Sequence, residues 1–220
     1  NSLYGGTYNL LANTLPRFGI TTTFVDPDDP IEFSKAVKSN TRVFFAESLG
    51  NPKLDVLDLK AISEAAQKAK VPFIVDNTVA SPALLNPIEY GANIVIHSLT
   101  KYLTGNGTSL GGVIIDAGTF DWSNGNFPEF TSPNPSYHGL NYHEALGNIA
   151  FIAKVRIEGL RDLGSAPSPF NSFQTIQGIE TLDIRMKKHS ENALKLAAWL
   201  STREEVAWVN YPGLKSSKYN

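Results

Sequence analysis

The stretch at residues 92–107, ANIVIHSLTKYLTGNG, joins an apolar run to a lysine. The run IVI at 94–96 predicts a β-strand covered on both faces, as the strands of parallel sheets are. Lys101 follows a short polar turn and comes just before two glycines. Ligands of open α/β sheets bind beyond the carboxyl ends of the strands. The stretch therefore predicts a lysine at the ligand-binding edge of a sheet.

Strand patterns alternate with helical patterns on both sides of this stretch. The segments that predict strands are TTTFV at 21–25, RVFFAES at 42–48, VPFIVDN at 71–77, ANIVIHS at 92–98 and GGVIID at 111–116. Helices are predicted at 29–39 and 58–70, with Asp29 and Asp58 as their N-cap residues. This alternation is typical of βαβ units, so we expect an α/β fold with a mainly parallel sheet.

The pattern changes after residue 116. Residues 121–139 are rich in Pro, Asn and Ser, which predicts a long ordered loop. Helices are predicted at 144–164 and 173–201, and a strand at 206–213. The loop region carries many aromatic side chains, which cover either the core of their own domain or a partner subunit: Phe120, Trp122, Phe127, Phe130, Tyr137 and Tyr142.

Composition excludes several classes of function. The 220 residues have a net charge of −2 and a pI of about 6.1, with no basic stripe for nucleic acid or an anionic membrane. No apolar run approaches the ~18 residues of a membrane span. The absence of cysteine fits a reducing compartment, so we expect a cytoplasmic protein. The four histidines lack the spacing of zinc ligands, so no metal site is predicted. The chain begins at Asn1 without Met, and we expect it to be part of a longer protein.

Polar side chains follow three of the predicted strands. They are Glu47, Asn51, Asp76, Asn77, His97, Ser98, Thr100 and Lys101. Because parallel strands end at the same edge of a sheet, we expect these residues to converge there.

Each candidate has an ordinary and a functional interpretation. A lysine after a strand is usually a solvated loop residue, but Ser98 and Thr100 place phosphate-sized donors in the turn of Lys101, whose amine could be a nucleophile. Asp76 is either a turn or cap residue, or a carboxylate that holds a protonated ring nitrogen, as pyridoxal phosphate requires. Tyr4, in LYGGTY at 3–8, is either a core residue or a platform for a flat ring.

Taken together, these motifs resemble a known family. LYGGTY, ESLGNP, VDNT, HSLTKYLTGNG, SPFNSFQTIQGIETLDIRM and NYPGL occur in the order found in fold-type I pyridoxal-phosphate enzymes of cysteine and methionine metabolism. The sequence is most similar to the O-acetylhomoserine sulfhydrylase branch. The FDW loop after the lysine strand supports that branch, as does Gln177, where many cystathionine enzymes carry arginine.

The resemblance implies a fold and a set of roles. The fold is a three-layer sandwich, the aspartate-aminotransferase-like large domain over 1–190, followed by the start of a smaller α+β domain over 191–220. Lys101 would form the internal aldimine and Asp76 would pair with the pyridine nitrogen. The remaining roles are phosphate binding by Ser98 and Thr100, ring stacking and help with proton transfer by Tyr4, and an approach to the 3-hydroxyl side by Asn51.

The resemblance also implies an activity. This is a γ-replacement that converts O-acetylhomoserine plus sulfide or methanethiol into homocysteine or methionine, with release of acetate, in a dimer or tetramer. Two alternatives stay open at this point. One is a γ-lyase or cystathionine γ-synthase of the same family, and the other is a non-catalytic α/β scaffold.

Overall fold

A computed structural model describes residues 2–220. Its sheet has four strands in the order β1 to β4, namely β1 Phe44–Glu47, β2 Phe73–Asp76, β3 Ile94–Ser98 and β4 Gly112–Asp116. The first three strands are parallel, and β4 is antiparallel to β3. The predicted α/β fold with a mainly parallel sheet is confirmed.

Helices connect and cover the strands. The α-helices are α1 Gly5–Asn9, α2 Pro30–Lys35, α3 Leu59–Ala69, α4 Ser81–Leu84, α5 Pro128–Thr131, α6 Tyr142–Leu146, α7 Ala150–Lys154, α8 Arg161–Leu163, α9 Pro169–Glu180 and α10 Leu182–Leu200. Short 3₁₀ segments lie at Leu15–Phe18, Pro87–Tyr90, Pro135–Tyr137 and Gly147–Ile149, and π-helical turns lie at Leu10–Thr14, Leu99–Leu103 and Val155–Leu160.

The N-caps predicted for α2 and α3 are confirmed. The side chain of Asp29 accepts a hydrogen bond from the Ile31 amide at 2.9 Å, and that of Asp58 accepts one from the Ala61 amide at 3.0 Å. Each bond satisfies an amide that has no partner inside the first helical turn.

The sheet is covered on both faces. Alternate strand residues such as Phe73 and Val75, both fully buried, join α2 and α3 in one apolar cluster. The strand residues between them, such as Ile74 and Ile94, pack on the other side against the aromatic segment that follows β4. This arrangement gives the three layers, and it explains why the strands are apolar almost throughout.

The aromatic segment fills the core of its own chain. Trp122 stacks on Phe130 with ring centroids 4.3 Å apart and on Phe151 at 5.1 Å. Trp122, Phe127 and Phe130 are buried, and Tyr142 is completely so. The sequence left open whether these aromatic residues cover their own domain or a partner subunit. These four side chains cover the core of their own domain.

Two predicted strands are wrong. The structure assigns no strand to 21–25, where the Phe24 ring packs against Tyr8 with centroids 5.0 Å apart. Residues 206–213 also form no strand, and Trp208 there is 78% exposed. Strand propensity describes a side chain that suits a pleated surface, but a strand exists only where a neighbouring strand takes its backbone hydrogen bonds.

The long predicted helices are interrupted. The segment 144–164 breaks at Gly147, which has a φ of +55°, and contains the π-helical turn Val155–Leu160. The segment 173–201 is divided into α9 and α10 at Thr181, where ψ is 5°. The predicted domain boundary between 190 and 191 lies within α10 and stays a prediction.

Candidate active site

Register places two carboxylates side by side at the carboxyl edge of the sheet. Glu47 of β1 is paired with Asp76 of β2, which is paired in turn with Ile96 of β3. Side chains in a strand alternate between faces, so these three point to the same face, opposite the face of Val75. Ser98 lies two residues beyond Ile96 and shares that face. The convergence predicted from the strand ends is present for these residues.

The Asp76 carboxylate is half-buried and is held through one oxygen. Its Oδ1 accepts hydrogen bonds from the Thr78 amide at 2.9 Å and from the Thr78 hydroxyl at 2.5 Å. No hydrogen bond from residues 2–220 reaches Oδ2. One carboxylate oxygen therefore stays available for a ligand at this edge.

Lys101 lies in the turn that follows β3 and comes close to Tyr4. The backbone of Lys101 departs from helical geometry, with φ −89° and ψ −124°, inside the turn Leu99–Leu103. Its Nζ lies 6.0 Å from the centroid of the Tyr4 ring, and the side chain is exposed. None of the ion pairs within residues 2–220 involves Lys101. The structure thus joins two candidates that lie far apart in the sequence.

Helix packing fixes the lysine turn from behind. Leu103 is buried with Leu182 and Met186 of α10. A Cβ on Gly178 of α9 would come within 2.4 Å of the carbonyl oxygens of Leu103 and Thr104. Only glycine permits α9 to approach the turn so closely, so Gly178 allows α9 to pack against the turn that contains Lys101.

Tyr4 is tied to the first strand. Its backbone amide donates a hydrogen bond to Glu47 Oε1 at 2.6 Å, and its ring is about half exposed. A Cβ on Gly6 would lie 2.7 Å from Cε1 of that ring, which explains the glycine two residues after the tyrosine. The ordinary interpretation of Tyr4 as a core residue does not hold, because the exposed ring faces the lysine amine.

The Glu47 carboxyl has a strongly perturbed pKa. Burial raises it from 4.5 to about 7; the Tyr4 amide acts against this rise, the neighbouring Asp76 adds to it, and the Asn51 amide again opposes it. Glu47 was one of the polar strand-end residues, but sequence gave no role for it. Its contact with Tyr4 joins residues 43 positions apart, and no local pattern signals such a contact.

The remaining candidates differ in whether their side chains already form hydrogen bonds within the chain. The Thr100 hydroxyl accepts a hydrogen bond from the Gly111 amide at 3.3 Å, and it keeps its own proton for donation. The Ser98 hydroxyl has no hydrogen-bond partner in the described part of the chain. Asn51 lies half-buried in the loop after β1, before a cis peptide bond to Pro52, and its side chain makes no hydrogen bond within residues 2–220.

Two further polar residues at the same edge are buried. Asn77 is fully buried, accepts a hydrogen bond from the Ser48 hydroxyl at 2.7 Å and donates one to the Leu85 carbonyl at 2.8 Å. His97 is buried on the Val95 side of β3, and burial lowers the pKa of its imidazole while Asp76 acts to raise it. Thr78, which was not among the candidate residues, contacts Asp76 directly.

The donor set fits pyridoxal phosphate. An aldehyde needs an amine that is free of a carboxylate partner, which Lys101 provides. A protonated ring nitrogen needs a carboxylate oxygen with spare acceptor capacity, which Asp76 provides. A phosphate needs donors, which the hydroxyls of Ser98 and Thr100 supply from the same turn. No group of three or more His, Asp or Glu within residues 2–220 is arranged to hold a metal ion.

Among residues 2–220, no helix combines the length and the apolar character that a membrane span requires.

Known proteins with similar sequences carry names that refer to O-acetylhomoserine or homocysteine. An O-acetyl-L-homoserine sulfhydrylase of Leptospira meyeri is 56% identical over 99% of this chain and 51% of its own length. A homocysteine synthase of Schizosaccharomyces pombe is 48% identical over 97% of this chain and 51% of its own length. The chain therefore spans about half the length of the curated relatives it matches.

Solved structures agree with this relationship. An O-acetylhomoserine (thiol)-lyase from Campylobacter jejuni, described with an N′-pyridoxyl-lysine-5′-monophosphate, superposes with a TM-score of 0.96 at 42% identity, over all of this chain and 54% of its own. An O-acetylhomoserine sulfhydrylase of Wolinella succinogenes superposes with a TM-score of 0.87 at 36% identity, over all of this chain and 59% of its own.

The resemblance inferred from the motifs is confirmed over the whole sequence. The family model described as Cys/Met metabolism PLP-dependent enzyme matches residues 1–220. The chain belongs to the Cys/Met metabolism family of pyridoxal-phosphate-dependent enzymes.

Proposed function

We propose that the protein containing this chain is a pyridoxal-phosphate-dependent transferase that forms homocysteine and acetate from O-acetylhomoserine and sulfide. Methanethiol would replace sulfide to give methionine. The observation that carries the proposal is the position of Lys101. Its Nζ lies 6.0 Å from the Tyr4 ring centroid, and its turn is connected to Asp76 through the hydrogen bonds of Thr78. The relatives named O-acetyl-L-homoserine sulfhydrylase and homocysteine synthase support the choice of substrate.

The side chains at the sheet edge would divide the work of holding the cofactor. Lys101 Nζ would bind the aldehyde carbon, and Asp76 Oδ2 would accept a hydrogen bond from the ring nitrogen. The hydroxyls of Ser98 and Thr100 would donate to the phosphate, and Tyr4 would stack on the ring. Bound in this way, pyridoxal phosphate supplies an electron sink for charge that develops on the substrate carbon atoms. Asn51, on the loop beside Glu47, would approach the 3-hydroxyl side.

The same residues would then handle protons. A carboxylate beside a ring nitrogen favours its protonated form, so Asp76 would keep a proton on that nitrogen at neutral pH. The Lys101 amine has no carboxylate partner in the described chain. Once the substrate amine has displaced it, the Lys101 amine would take a proton from Cα of the substrate and, after giving that proton up, one from Cβ. The Tyr4 ring lies on one side of this amine, 6.0 Å from Nζ to the ring centroid.

Product analysis tests the proposed reaction. The full-length protein should release acetate from O-acetylhomoserine and form homocysteine in proportion to the sulfide consumed. If it forms 2-oxobutyrate and ammonia at the same rate with and without sulfide, the protein is a γ-lyase. If it forms cystathionine preferentially when cysteine is supplied, it is a cystathionine γ-synthase. A protein that binds pyridoxal phosphate without turning over any of these substrates would support the scaffold alternative.

The organisation of the whole protein is also a proposal. We infer a large domain over 1–190 with the start of a smaller one over 191–220, a homodimer or homotetramer, and a cytoplasmic location. An experimental structure of the full-length protein tests the boundary, because the predicted one lies within α10. Sedimentation at micromolar concentration tests the oligomer. Cell fractionation tests the location.

A further inference from the structure

Thr78 makes three hydrogen bonds that join two parts of the candidate site. Its amide and its hydroxyl both donate to Asp76 Oδ1, at 2.9 and 2.5 Å. The same hydroxyl accepts a hydrogen bond from the backbone amide of Ser98 at 2.8 Å. Ser98 opens the turn that carries Lys101. A single hydroxyl therefore links the carboxylate of β2 to the lysine turn after β3.

The bond from Ser98 determines which way the Thr78 proton points. A hydroxyl has one proton to donate, and the position of that proton is fixed by the bonds that the oxygen accepts. Because the Ser98 amide occupies the acceptor side of Thr78 Oγ1, the proton lies toward Asp76. Hydrogen bonds in such a chain polarise and strengthen one another. The carboxylate is then held through Oδ1, with Oδ2 left for a ligand.

A local turn explains only two of these three bonds. Aspartate side chains often bond to the residue two positions on, whatever their role. Asp121 and Ser123 on the exposed surface repeat the pattern, with bonds of 2.8 Å from the Ser123 amide and 2.6 Å from its hydroxyl. The Ser123 hydroxyl accepts no further hydrogen bond within residues 2–220. The long-range bond from Ser98 distinguishes Thr78.

We propose that Thr78 is a positioning residue that orients the Asp76 carboxylate toward the cofactor and couples it to the lysine turn. The proposal rests on the proposed function, since it assumes that Asp76 holds the ring nitrogen. It assigns Thr78 no contact with the reacting atoms; its effect on the reaction passes through Asp76.

The affinity of the full-length apoprotein for pyridoxal phosphate tests this role. Thr78→Val removes the hydroxyl and keeps the branched shape, and it should weaken binding about tenfold, because the charged Asp76 carboxylate loses a hydrogen bond. Thr78→Ser keeps the hydroxyl and should stay within about threefold of the wild type. Ser123→Ala is the matched control, because it removes the same local hydroxyl bond away from the site. It should leave the affinity unchanged.

A double-mutant cycle separates positioning from a general structural effect. In an Asp76→Asn background, Thr78→Val should cause little further loss of affinity, because both changes disturb the same interaction. An equal loss in both backgrounds would show that Thr78 does not act through Asp76, and it would overturn the proposal. Wild-type affinity in Thr78→Val, or equal losses in Thr78→Val and Thr78→Ser, would overturn it as well.

Two controls keep the test decisive. If Thr78→Val does not fold, Thr78→Ala and Thr78→Ser replace it as a pair, because they differ by one oxygen atom. A gap of about tenfold in cofactor affinity between them supports the proposal, and equal affinity refutes it. Failure of the wild-type protein to bind pyridoxal phosphate would instead refute the proposed function. The pH profile of turnover should shift in Thr78→Val and return in Thr78→Ser.

Discussion

Lys101 and Lys154 each lie beside an aromatic ring, but their surroundings differ. Lys154 lies 5.0 Å from the Tyr142 ring centroid and forms an ion pair with Glu158 at 2.6 Å. Lys101 lies 6.0 Å from the Tyr4 ring centroid and forms no ion pair within residues 2–220. The amine of Lys154 is held in an ion pair, whereas that of Lys101 has no carboxylate partner in the described residues. The Lys101 amine is therefore free for the role that we propose for it, and the Lys154 amine is not.

The carboxylates beside the two lysines repeat the contrast. Glu158 Oε1 also accepts hydrogen bonds from Tyr142 Oη at 3.0 Å and from Asn134 Nδ2 at 2.6 Å, and Oε2 accepts one from Lys154 at 2.7 Å, so both oxygens have partners. Asp76 accepts through Oδ1 alone. Acceptor capacity is satisfied in the aromatic core and is left open at the sheet edge, as a site that binds a polar ligand requires.

Substitution of Lys101 and of Lys154 should differ in its effect on activity. Lys101→Ala should lower kcat/KM by at least about a thousandfold, since in the proposed reaction the residue both binds the cofactor and moves protons, and general acid–base catalysis alone contributes roughly 10²–10⁴-fold. Lys154→Met should leave turnover within about threefold. Steady-state kinetics on the full-length protein measures both. Similar losses in the two variants would show that the contrast between the lysines is not functional.

The ion pair in the aromatic core should appear in unfolding measurements. Glu158→Gln should lower the free energy of unfolding by about 1–3 kcal/mol, because three donors lose a charged acceptor. Glu191→Gln is the control, since its pair with Lys188 is exposed and longer, at 3.4 Å, and such pairs contribute about 0–1 kcal/mol. Urea denaturation compares the two, and equal costs would contradict the assigned role of Glu158.

At the sheet edge, the Glu47 carboxyl should make the free energy of unfolding depend on pH. Its pKa is raised from 4.5 to about 7 in the folded chain, so between these values the unfolded state binds fewer protons than the folded state. Stability should therefore fall as pH rises from about 4.5 to 7, by at most about 3 kcal/mol from this group. Glu47→Gln should remove that part of the slope in the apoprotein, and the exposed Glu129→Gln should not. Unfolding at pH 5 and pH 8 measures it, and an unchanged slope in Glu47→Gln would refute the assignment.

Much of the sheet edge was predictable because its rules are local. Apolar runs predicted β1 to β4, and the parallel arrangement then brought Glu47, Asp76 and Ser98 to one edge and one face. The contacts that organise the edge were not predictable. The bonds from Tyr4 to Glu47 and from Ser98 to Thr78 join distant residues, and they depend on how the chain packs.

The errors have the same origin. Residues 21–25 and 206–213 have the composition of strands, but composition does not specify a pairing partner. The aromatic residues of the loop after β4 could be recognised, whereas their stacking inside their own core depends on β3 and α7. The roles assigned to Lys101, Asp76, Ser98, Thr100, Tyr4 and Asn51 stay predictions until a measurement tests them.

Borohydride reduction of the full-length protein loaded with pyridoxal phosphate tests the central claim most directly. Reduction fixes the cofactor on the lysine that binds it, and peptide mass spectrometry then locates the pyridoxyl group. The account predicts one modified peptide that contains Lys101, with Lys154 unmodified. A pyridoxyl group on another lysine, with Lys101 unmodified, would contradict it.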